Sequence, residues 1–186
     1  MDCLVLQHVN EQLIQFPKAF VHIPLFVNVV PTTLLDSRFL PWIQSWSRQM
    51  QELKASIFLE ITEQVPYEAA QLIEVVNTLR NDGIRVGLDD VGQGFSTLEA
   101  LSVLEPDFIK IDRSLIRNIT LFPGKQRMLH LLVDYMGSGH AVVAEGVETQ
   151  DDLLTIKELR LALSQGYFWS KPLELQHKID FWKQQL

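Results

Sequence analysis

Short apolar runs alternate along this chain with longer stretches of helical spacing, and this alternation constrains the fold more than any other feature. Six runs rich in β-branched and aromatic residues cover 25–30, 57–61, 84–88, 108–111, 141–144 and, more weakly, 167–169. Continuous apolar runs of this length are typical of parallel strands that are buried on both faces. We therefore predict six parallel strands.

The segments between these runs show apolar residues at helical spacing. Helices are predicted over 4–16, 67–81, 97–104, 124–136 and 150–159. Gly83 and Gly137 each follow a predicted helix shortly before a strand, as glycine does at helix C-termini. Strand and helix in regular alternation predict an α/β fold.

Polar residues at the strand ends distinguish between the two α/β architectures. Nearly every predicted strand ends in one or more of them: Asn28, Glu60 and Glu63, Asp89 and Asp90, Lys110 and Asp112, Glu145 and Glu148, then Gln165. Barrel enzymes assemble their sites from the carboxyl ends of many strands, whereas a doubly wound sheet uses one switch point. The pattern favours a TIM-like (β/α) barrel, and six strands, two fewer than eight, make it an incomplete one.

Length and charge limit the remaining possibilities. A chain of 186 residues with 47% hydrophobic and 21% charged residues suits one ordinary globular domain, which we expect to cover 1–186. The net charge of −7 argues against binding of duplex nucleic acid, which needs clustered Lys and Arg. A small phosphate ligand remains compatible, because acidic residues hold divalent metals that supply the positive charge.

The compartment is expected to be the cytoplasm. A lone cysteine, Cys3, has no partner for an intramolecular disulfide, which suits a reducing environment. The first residues lack a basic region followed by a long apolar core, so no signal peptide is predicted. No apolar run approaches the roughly 20 residues that span a bilayer, so no membrane span is predicted either.

Two adjacent carboxylates, Asp89 and Asp90, give the strongest local signal. They end a predicted strand and precede a loop that contains Gly92 and Gly94. Adjacent carboxylates repel each other unless a cation lies beside them, which favours a metal-binding edge. An aspartate that caps the next helix explains one of the two. Both interpretations stay open on these residues alone.

Lys110 stands inside an apolar strand, where burial without a carboxylate partner is costly. It therefore either faces a charged cavity or forms an internal ion pair, and we favour the cavity.

Glu145 ends another strand, and Glu148 follows one turn later. The aromatic residues at 167–169 are expected to be core rather than a platform for base stacking.

Six ordered motifs resemble those of the EAL family over about residues 1–175. They are Val27-Asn28-Val29, Glu60-Ile61-Thr62-Glu63, Asp89-Asp90-Val91-Gly92-Gln93-Gly94, Lys110-Ile111-Asp112, Ala144-Glu145-Gly146-Val147-Glu148-Thr149 and Gln165-Gly166-Tyr167. The resemblance implies a metal-dependent phosphodiesterase that hydrolyses cyclic di-GMP to linear pGpG. It further implies Mg²⁺ or Mn²⁺ as the cofactor, with Ca²⁺ inhibitory.

The resemblance also implies a role for each matching residue. Metal ligation falls to Asn28, Glu60, Asp89 and Asp90. The expected catalytic residues are Lys110, which orients or activates the attacking water, Glu145, which supports the metal shell, and Gln165, which contacts water or substrate. Glu148 is expected to support the loop after Asp90.

The chain departs from the family pattern in two ways that matter. Arg160 stands where a helix-ending glycine is common, which costs stability if the position requires a positive φ. Upstream of Asn28 there are 27 residues and no Glu-Ala-Leu segment. We therefore expect a barrel that lacks its first strand-helix unit, impaired turnover, and a homodimer or partner protein at the open edge. The alternatives are a catalytically inactive receptor for cyclic di-GMP, a protein-interaction module, or a truncation product without function.

Overall fold

The structure is a computed structural model that describes residues 2–15, 24–52, 56–62, 69–93, 97–138, 140–161 and 163–173. The strands are β1 Pro24–Val29, β2 Ser56–Ile61, β3 Arg85–Val91, β4 Phe108–Ile111, β5 Ala141–Ala144 and β6 Leu163–Ser164. The helices are α1 Asp2–Gln15, α2 Pro31–Leu34, α3 Phe39–Glu52, α4 Ala69–Asn81, α5 Thr97–Leu104, α6 Arg113–Ile116, α7 Pro123–Met136 and α8 Gln150–Glu158. A 3-10 turn, Ile119–Leu121, lies between α6 and α7. None of the described helices has the length and hydropathy that crossing a membrane requires.

The six strands form one sheet in sequence order, β1 to β6, and every neighbouring pair is parallel. Each crossover between neighbouring strands contains at least one helix. Sequential order with parallel pairing is the arrangement of a (β/α) barrel, and six of its strands form the described sheet. The prediction of an incomplete TIM-like barrel is therefore confirmed.

The two faces of the sheet carry different side chains. One face packs against the helices, so that strand residues such as Leu59 and Ile109 share a core with Ile43 of α3 and Leu72 of α4. The other face, which we call the inner face, carries Phe26, Phe58 and Phe108 towards the amino ends of their strands. The aromatic rings lie 4.8 to 5.6 Å apart between centroids. They form an apolar floor beneath the polar strand ends.

Gly87 leaves the space that the floor requires. A Cβ atom at this position of β3 would lie 2.4 Å from the ring of Phe108, which is fully buried. The glycine is therefore needed for the close approach of the ring rather than for backbone freedom. Its absence of a side chain lets β3 and β4 pair in register, Gly87 opposite Phe108.

Asp107 ties the amino end of β4 to its neighbours. Its Oδ2 accepts hydrogen bonds from the backbone N–H of Val86 at 2.9 Å and from Nε of Arg80 at 3.0 Å. The same guanidinium donates to the carbonyl of Leu104 at 3.0 Å. One half-buried carboxylate therefore links α4, the end of α5, β3 and β4 at the end of the sheet opposite the polar residues.

The strands confirm five of the six predicted runs, with bounds shifted by up to three residues, and correct the sixth. The last strand is β6, and 167–169 lie in a turn. The expectation that the aromatic residues there are core is wrong, since Tyr167 is 59% and Trp169 55% exposed. The chain bends at Gly166, which packs directly against the backbone of Val147, and this bend carries the aromatic side chains outwards.

The predicted helices are present where the structure describes them, and α3 is an addition. No helix was predicted over 39–52, yet Phe39, Ile43, Trp46 and Met50 recur at helical spacing and are buried. Pro41 is tolerated there because it stands in the first turn, where its missing N–H costs nothing. Residues 16, 67 and 68 of two predicted helices lie outside the described ranges.

Arg160 has a φ of 64°, so the position after α8 requires the left-handed conformation. The backbone N–H of Arg160 donates to the carbonyl of Lys157, and that of Leu161 donates to the carbonyl of Ile156. These two bonds are those of a Schellman C-cap, in which glycine is the common residue. An arginine there carries the steric cost of a Cβ atom in this region.

We predict that Gly87→Ala lowers the free energy of unfolding by about 2 kcal/mol, because the added methyl group overpacks the floor against Phe108. Gly124→Ala is the matched control, since a Cβ atom at Gly124 meets no atom within 4 Å. Urea unfolding followed by circular dichroism measures both. Equal stability of the two variants would contradict the assigned packing.

We predict that Arg160→Gly raises the free energy of unfolding by about 0.5 kcal/mol, because glycine adopts a positive φ without a Cβ clash. Glu158→Gly, which also introduces a glycine but within α8, is expected to lower the free energy of unfolding by about 0.5 to 1 kcal/mol. The two shifts have opposite signs, so thermal unfolding of both variants tests the backbone assignment directly. A loss of stability in Arg160→Gly would refute it.

Candidate functional site

The carboxyl ends of the strands bring polar side chains together at one edge of the sheet. Asn28 lies on β1, Glu60 on β2, Asp89 on β3 and Lys110 on β4, while Glu145 directly follows β5. Parallel pairing causes this convergence, since neighbouring strands end at the same edge. The register places Asn28 opposite Glu60 in adjacent strands. We call these five residues the polar cluster.

Lys110 occupies the centre of the polar cluster. Its Nζ lies 2.5 Å from Oε1 of Glu145, 3.1 Å from Oδ1 of Asp89 and 3.2 Å from Oε2 of Glu60. Burial lowers the pKa of the ammonium, but the hydrogen bond to Glu145 and the charge of Glu60 outweigh burial and raise the pKa overall. The preference for a charged cavity over an internal ion pair is corrected, because Lys110 is 7% exposed and forms internal ion pairs.

Glu60 is the most deeply buried acid of the polar cluster, at 3% exposure. Burial raises its pKa to about 7, the charge of Lys110 opposes this rise, and the charge of Asp89 adds to it. Its Oε1 is buried and accepts no hydrogen bond from any described residue. A buried carboxylate oxygen without a donor is costly, which makes it a free ligand for a cation.

Asn28 bridges two of the acids. Oriented by its hydrogen bonds, its amide nitrogen donates to Oδ2 of Asp89 at 3.0 Å and to Oε2 of Glu60 at 3.1 Å. Because the amide carries both a donor and an acceptor, the opposite orientation presents its oxygen to the same space. Asn28 therefore suits either an acid pair or a cation between the acids.

Three acids meet the geometric requirement for a shared cation. Asp89, Asp90 and Glu145 each offer an oxygen, and these oxygens lie within 4.8 Å of one another. Both aspartates belong to β3, and α5 begins at Thr97, so neither caps that helix. Burial is the largest factor that raises the pKa of Asp90, and the neighbouring charge of Asp89 adds to it. Carboxylate and amide oxygens without sulfur or histidine suit Mg²⁺ or Mn²⁺.

A cavity of about 770 Å³ opens beside the polar cluster. Its wall includes Asp90, Asp112, Glu145, Gln165 and Tyr167. The amide nitrogen of Gln165 donates to Oε1 of Glu145, so that one glutamate oxygen accepts from both Gln165 and Lys110. A cavity of this size accommodates a ligand as large as a dinucleotide.

Two further residues of the predicted set lie at the border of what the structure describes. Glu148 is exposed on the wall of the cavity, and the loop that it is expected to support includes residues 94–96, outside the described ranges. The role of Glu148 is not tested by the arrangement and stays a prediction. Glu63, a strand-end acid for which no role is predicted, also lies outside the described ranges.

The sequence motifs predict no site role for Gln93, yet the structure places this residue at the cavity. Its amide nitrogen donates to Oδ2 of Asp112 at 2.9 Å, and it lines the cavity beside Asp90. Asp112 also accepts from the backbone N–H of Ser114 and so caps α6. The one sequence feature that indicates a site position for Gln93 is its place in the loop that follows the two aspartates.

The sequence contains one Glu-Ala-Leu tripeptide, and it stands in the wrong structural context for a strand-end ligand. Residues 99–101 lie in α5, where Glu99 is exposed and Ala100 and Leu101 are buried in the core. The tripeptide serves helix packing and is not at a strand end, where the residues of the polar cluster stand. The Glu-Ala-Leu sequence at 99–101 therefore does not provide a metal ligand at a strand end.

The fold and the polar cluster define an incomplete TIM-like barrel, whose strands carry at their carboxyl ends a group of acids with the spacing to hold a cation. The chain belongs to the EAL domain family, whose sequence model matches residues 1–172. This match extends over all the strand ends described above.

Known proteins that resemble the chain agree with this assignment. It is 29% identical over 171 residues to the probable cyclic di-GMP phosphodiesterase PdeG of Escherichia coli, covering 91% of this chain and 33% of that protein. An EAL domain protein from Listeria monocytogenes shares the fold, with a TM-score of 0.83 at 24% identity, over 98% of this chain and 72% of that one. A manganese and cyclic di-GMP complex of Klebsiella pneumoniae BlrP1 aligns with a TM-score of 0.74 at 29% identity, over 86% of this chain and 41% of that one.

The chain spans a third or less of the length of its first relatives, at 33%, 16% and 30%. The resemblance therefore concerns one part of larger proteins. The activities of those whole proteins are not carried over with the fold.

We predict that the metal-free protein loses stability as pH rises from about 5 to about 7.5. The pKa of Glu60 is raised in the folded state from 4.5 to about 7, so the folded protein binds the extra proton between these values. Stability falls with pH wherever the folded state binds more protons. The shift corresponds to about 3 kcal/mol at about 1.4 kcal/mol per pKa unit.

Thermal unfolding in metal-free buffer across this pH range measures the effect. Glu60→Gln is expected to flatten the profile, because the amide does not titrate. Glu99→Gln, at an exposed position of α5, is expected to retain the wild-type slope. A wild-type slope in Glu60→Gln would contradict the raised pKa.

Proposed function

We propose that this chain is a cyclic di-GMP phosphodiesterase domain that hydrolyses one phosphodiester bond of cyclic di-GMP to give linear pGpG, with Mg²⁺ or Mn²⁺ as the cofactor. One observation carries the proposal. Acids, an amide and a lysine from five successive strand units converge on the polar cluster, beside a cavity that fits a dinucleotide. The names of relatives such as PdeG, and the cyclic di-GMP complex of BlrP1, support the substrate.

In the proposal, Asn28, Glu60, Asp89 and Asp90 hold the divalent cations. The fit rests on the free buried oxygen of Glu60 and on the proximity of the oxygens of Asp89 and Asp90. When bound, such cations stabilise the charge that develops on the phosphoryl oxygens and lower the pKa of bound water. With Ca²⁺ we expect binding without turnover.

Lys110, Glu145 and Gln165 provide the remaining polar contacts in the proposal. Lys110 keeps its proton and donates hydrogen bonds, so it is suited to orient the attacking water and to stabilise negative charge on the phosphate. Glu145 fixes the position of Lys110. Gln165 fixes Glu145 in turn and reaches the cavity wall, where it contacts water or substrate. Glu148 supports the loop after Asp90.

We further propose that residues 1–186 form one domain that works in the cytoplasm and pairs with a second copy or a partner protein at the sheet edge. Two inner-face side chains support the edge assignment. Phe26 on β1 is 42% exposed and Leu163 on β6 is 46% exposed. These strands are the two ends of the described sheet, where apolar side chains lack a neighbouring strand among the described residues.

We predict that Lys110→Met lowers the rate of pGpG release from cyclic di-GMP at least about 100-fold in the presence of Mn²⁺, because the donor at the centre of the polar cluster is lost. Lys157→Met, at an exposed position of α8, is the matched control and is expected to keep the wild-type rate. Chromatography of the products measures turnover.

Asp89→Asn is expected to weaken Mn²⁺ affinity at least about tenfold, because a carboxylate oxygen of the proposed metal site is lost, and calorimetric titration with Mn²⁺ measures this affinity.

The same assay separates the proposal from its alternative and tests the expected impairment of turnover. Metal-dependent release of pGpG identifies an enzyme. Binding of cyclic di-GMP in calorimetry without any release of pGpG identifies a receptor and refutes the hydrolase. Absence of both binding and turnover refutes the assignment of the ligand.

A further inference from the structure

A second cavity, of about 460 Å³, lies beside the first one and is lined by positively charged side chains. Its walls come from α6, the 3-10 turn region, the first turn of α7 and the loop after β5. Three cations line it, Arg113, Arg117 and Lys125, against one carboxylate, that of Glu148. The acids of the metal-binding set are not part of its lining. We call it the basic pocket.

The positive charge of the basic pocket is not neutralised within the part of the chain that the structure describes. Neither Arg113 nor Arg117 forms an ion pair with a described carboxylate, and both side chains are exposed. The basic pocket therefore carries a local excess of two positive charges on a chain whose net charge is −7. Such an excess attracts anions from solution.

Lys125 is fixed in the basic pocket by neutral partners. Its Nζ donates to the carbonyl of Ser114 at 2.6 Å and to that of Arg117 at 2.7 Å, and it lies 5.2 Å from the ring centroid of Phe122. Carbonyl oxygens and an aromatic ring hold an ammonium group without cancelling its charge. The partial positive charge at the N-terminus of α7, a helix of 14 residues, adds to the same field.

These features match the chemistry of a phosphate group. Guanidinium groups donate paired hydrogen bonds to phosphate oxygens, and an ammonium adds a point charge. Phe122 is 51% exposed at the wall and offers an apolar face next to the cations. We propose that the basic pocket is a second binding site, for a phosphate-bearing small molecule, distinct from the polar cluster.

The basic pocket shares a wall with the cavity beside the polar cluster. Arg113, Gly146 and Glu148 line both. Gly146 has a φ of 65°, and a Cβ atom there would lie 2.5 Å from Cβ of Arg113, so the loop that carries Glu145 packs directly on the arginine. A phosphate held by Arg113 therefore binds against the same loop that positions Glu145.

The test is calorimetric titration of the metal-free protein with pyrophosphate and, separately, with ADP. Metal-free buffer prevents phosphate from binding through cations at the polar cluster. Arg117→Gln removes one guanidinium that lines the basic pocket alone, and we expect at least about tenfold weaker binding of both probes. Arg117→Lys keeps the charge and is expected to bind with intermediate affinity. Arg127→Gln, an exposed arginine of α7 outside the lining, is the matched control and is expected to bind as the wild type does.

The outcomes decide the proposal. Tighter binding of ADP than of pyrophosphate, with the difference lost in Phe122→Ala, supports a nucleoside phosphate, and equal binding supports recognition of the phosphate alone. Failure of both probes to bind at millimolar concentrations overturns the proposal. Equal weakening by Arg117→Gln and Arg127→Gln also overturns it, because it shows attraction to the whole surface rather than to the pocket.

Discussion

The ammonium of Lys110 is the interaction on which the arrangement of the polar cluster depends. Glu60, Asp89 and Glu145 come from three different strand units, and their charges repel one another at the distances that the sheet imposes. One buried cation between them offsets that repulsion and places β2, β3 and the end of β5 around a common centre. Lys110, Glu60 and Asp89 are buried, so the ion pairs among them act in a medium of lower dielectric constant than water.

The same arrangement explains why the polar cluster is prepared for a divalent cation. Glu60 keeps one buried oxygen without a donor, and Asn28 holds two of the acids through an amide that has both a donor and an acceptor. The buried oxygen of Glu60 costs stability as long as it has no partner, and a cation between the acids would remove that cost. At the opposite end of the sheet the carboxylate of Asp107 is fully engaged by contrast, since its Oδ2 accepts from Arg80 and from the backbone N–H of Val86.

Two cavities with different chemistry lie side by side at the carboxyl ends of the strands. One is bordered by acids that suit cations, and the other by arginine and lysine side chains that suit anions. The loop after β5 separates them, with Glu145 on one side and Gly146 pressed against Arg113. The loop that carries Glu145 therefore borders both cavities.

The alternation of strands and helices, five of the six strands, the motifs at their ends and the family can all be predicted from the amino-acid sequence, because apolar periodicity and polar strand ends are local properties. It also indicated the strain at Arg160, whose φ of 64° follows from a local capping motif. Three properties become visible only in the folded chain. Lys110 pairs internally with three acids rather than facing a charged cavity, the aromatic residues of 167–169 are exposed, and Arg113, Arg117 and Lys125 share a pocket. These properties depend on which surfaces meet after the chain has folded, and residues that meet in this way are far apart in the sequence or separated by a bend.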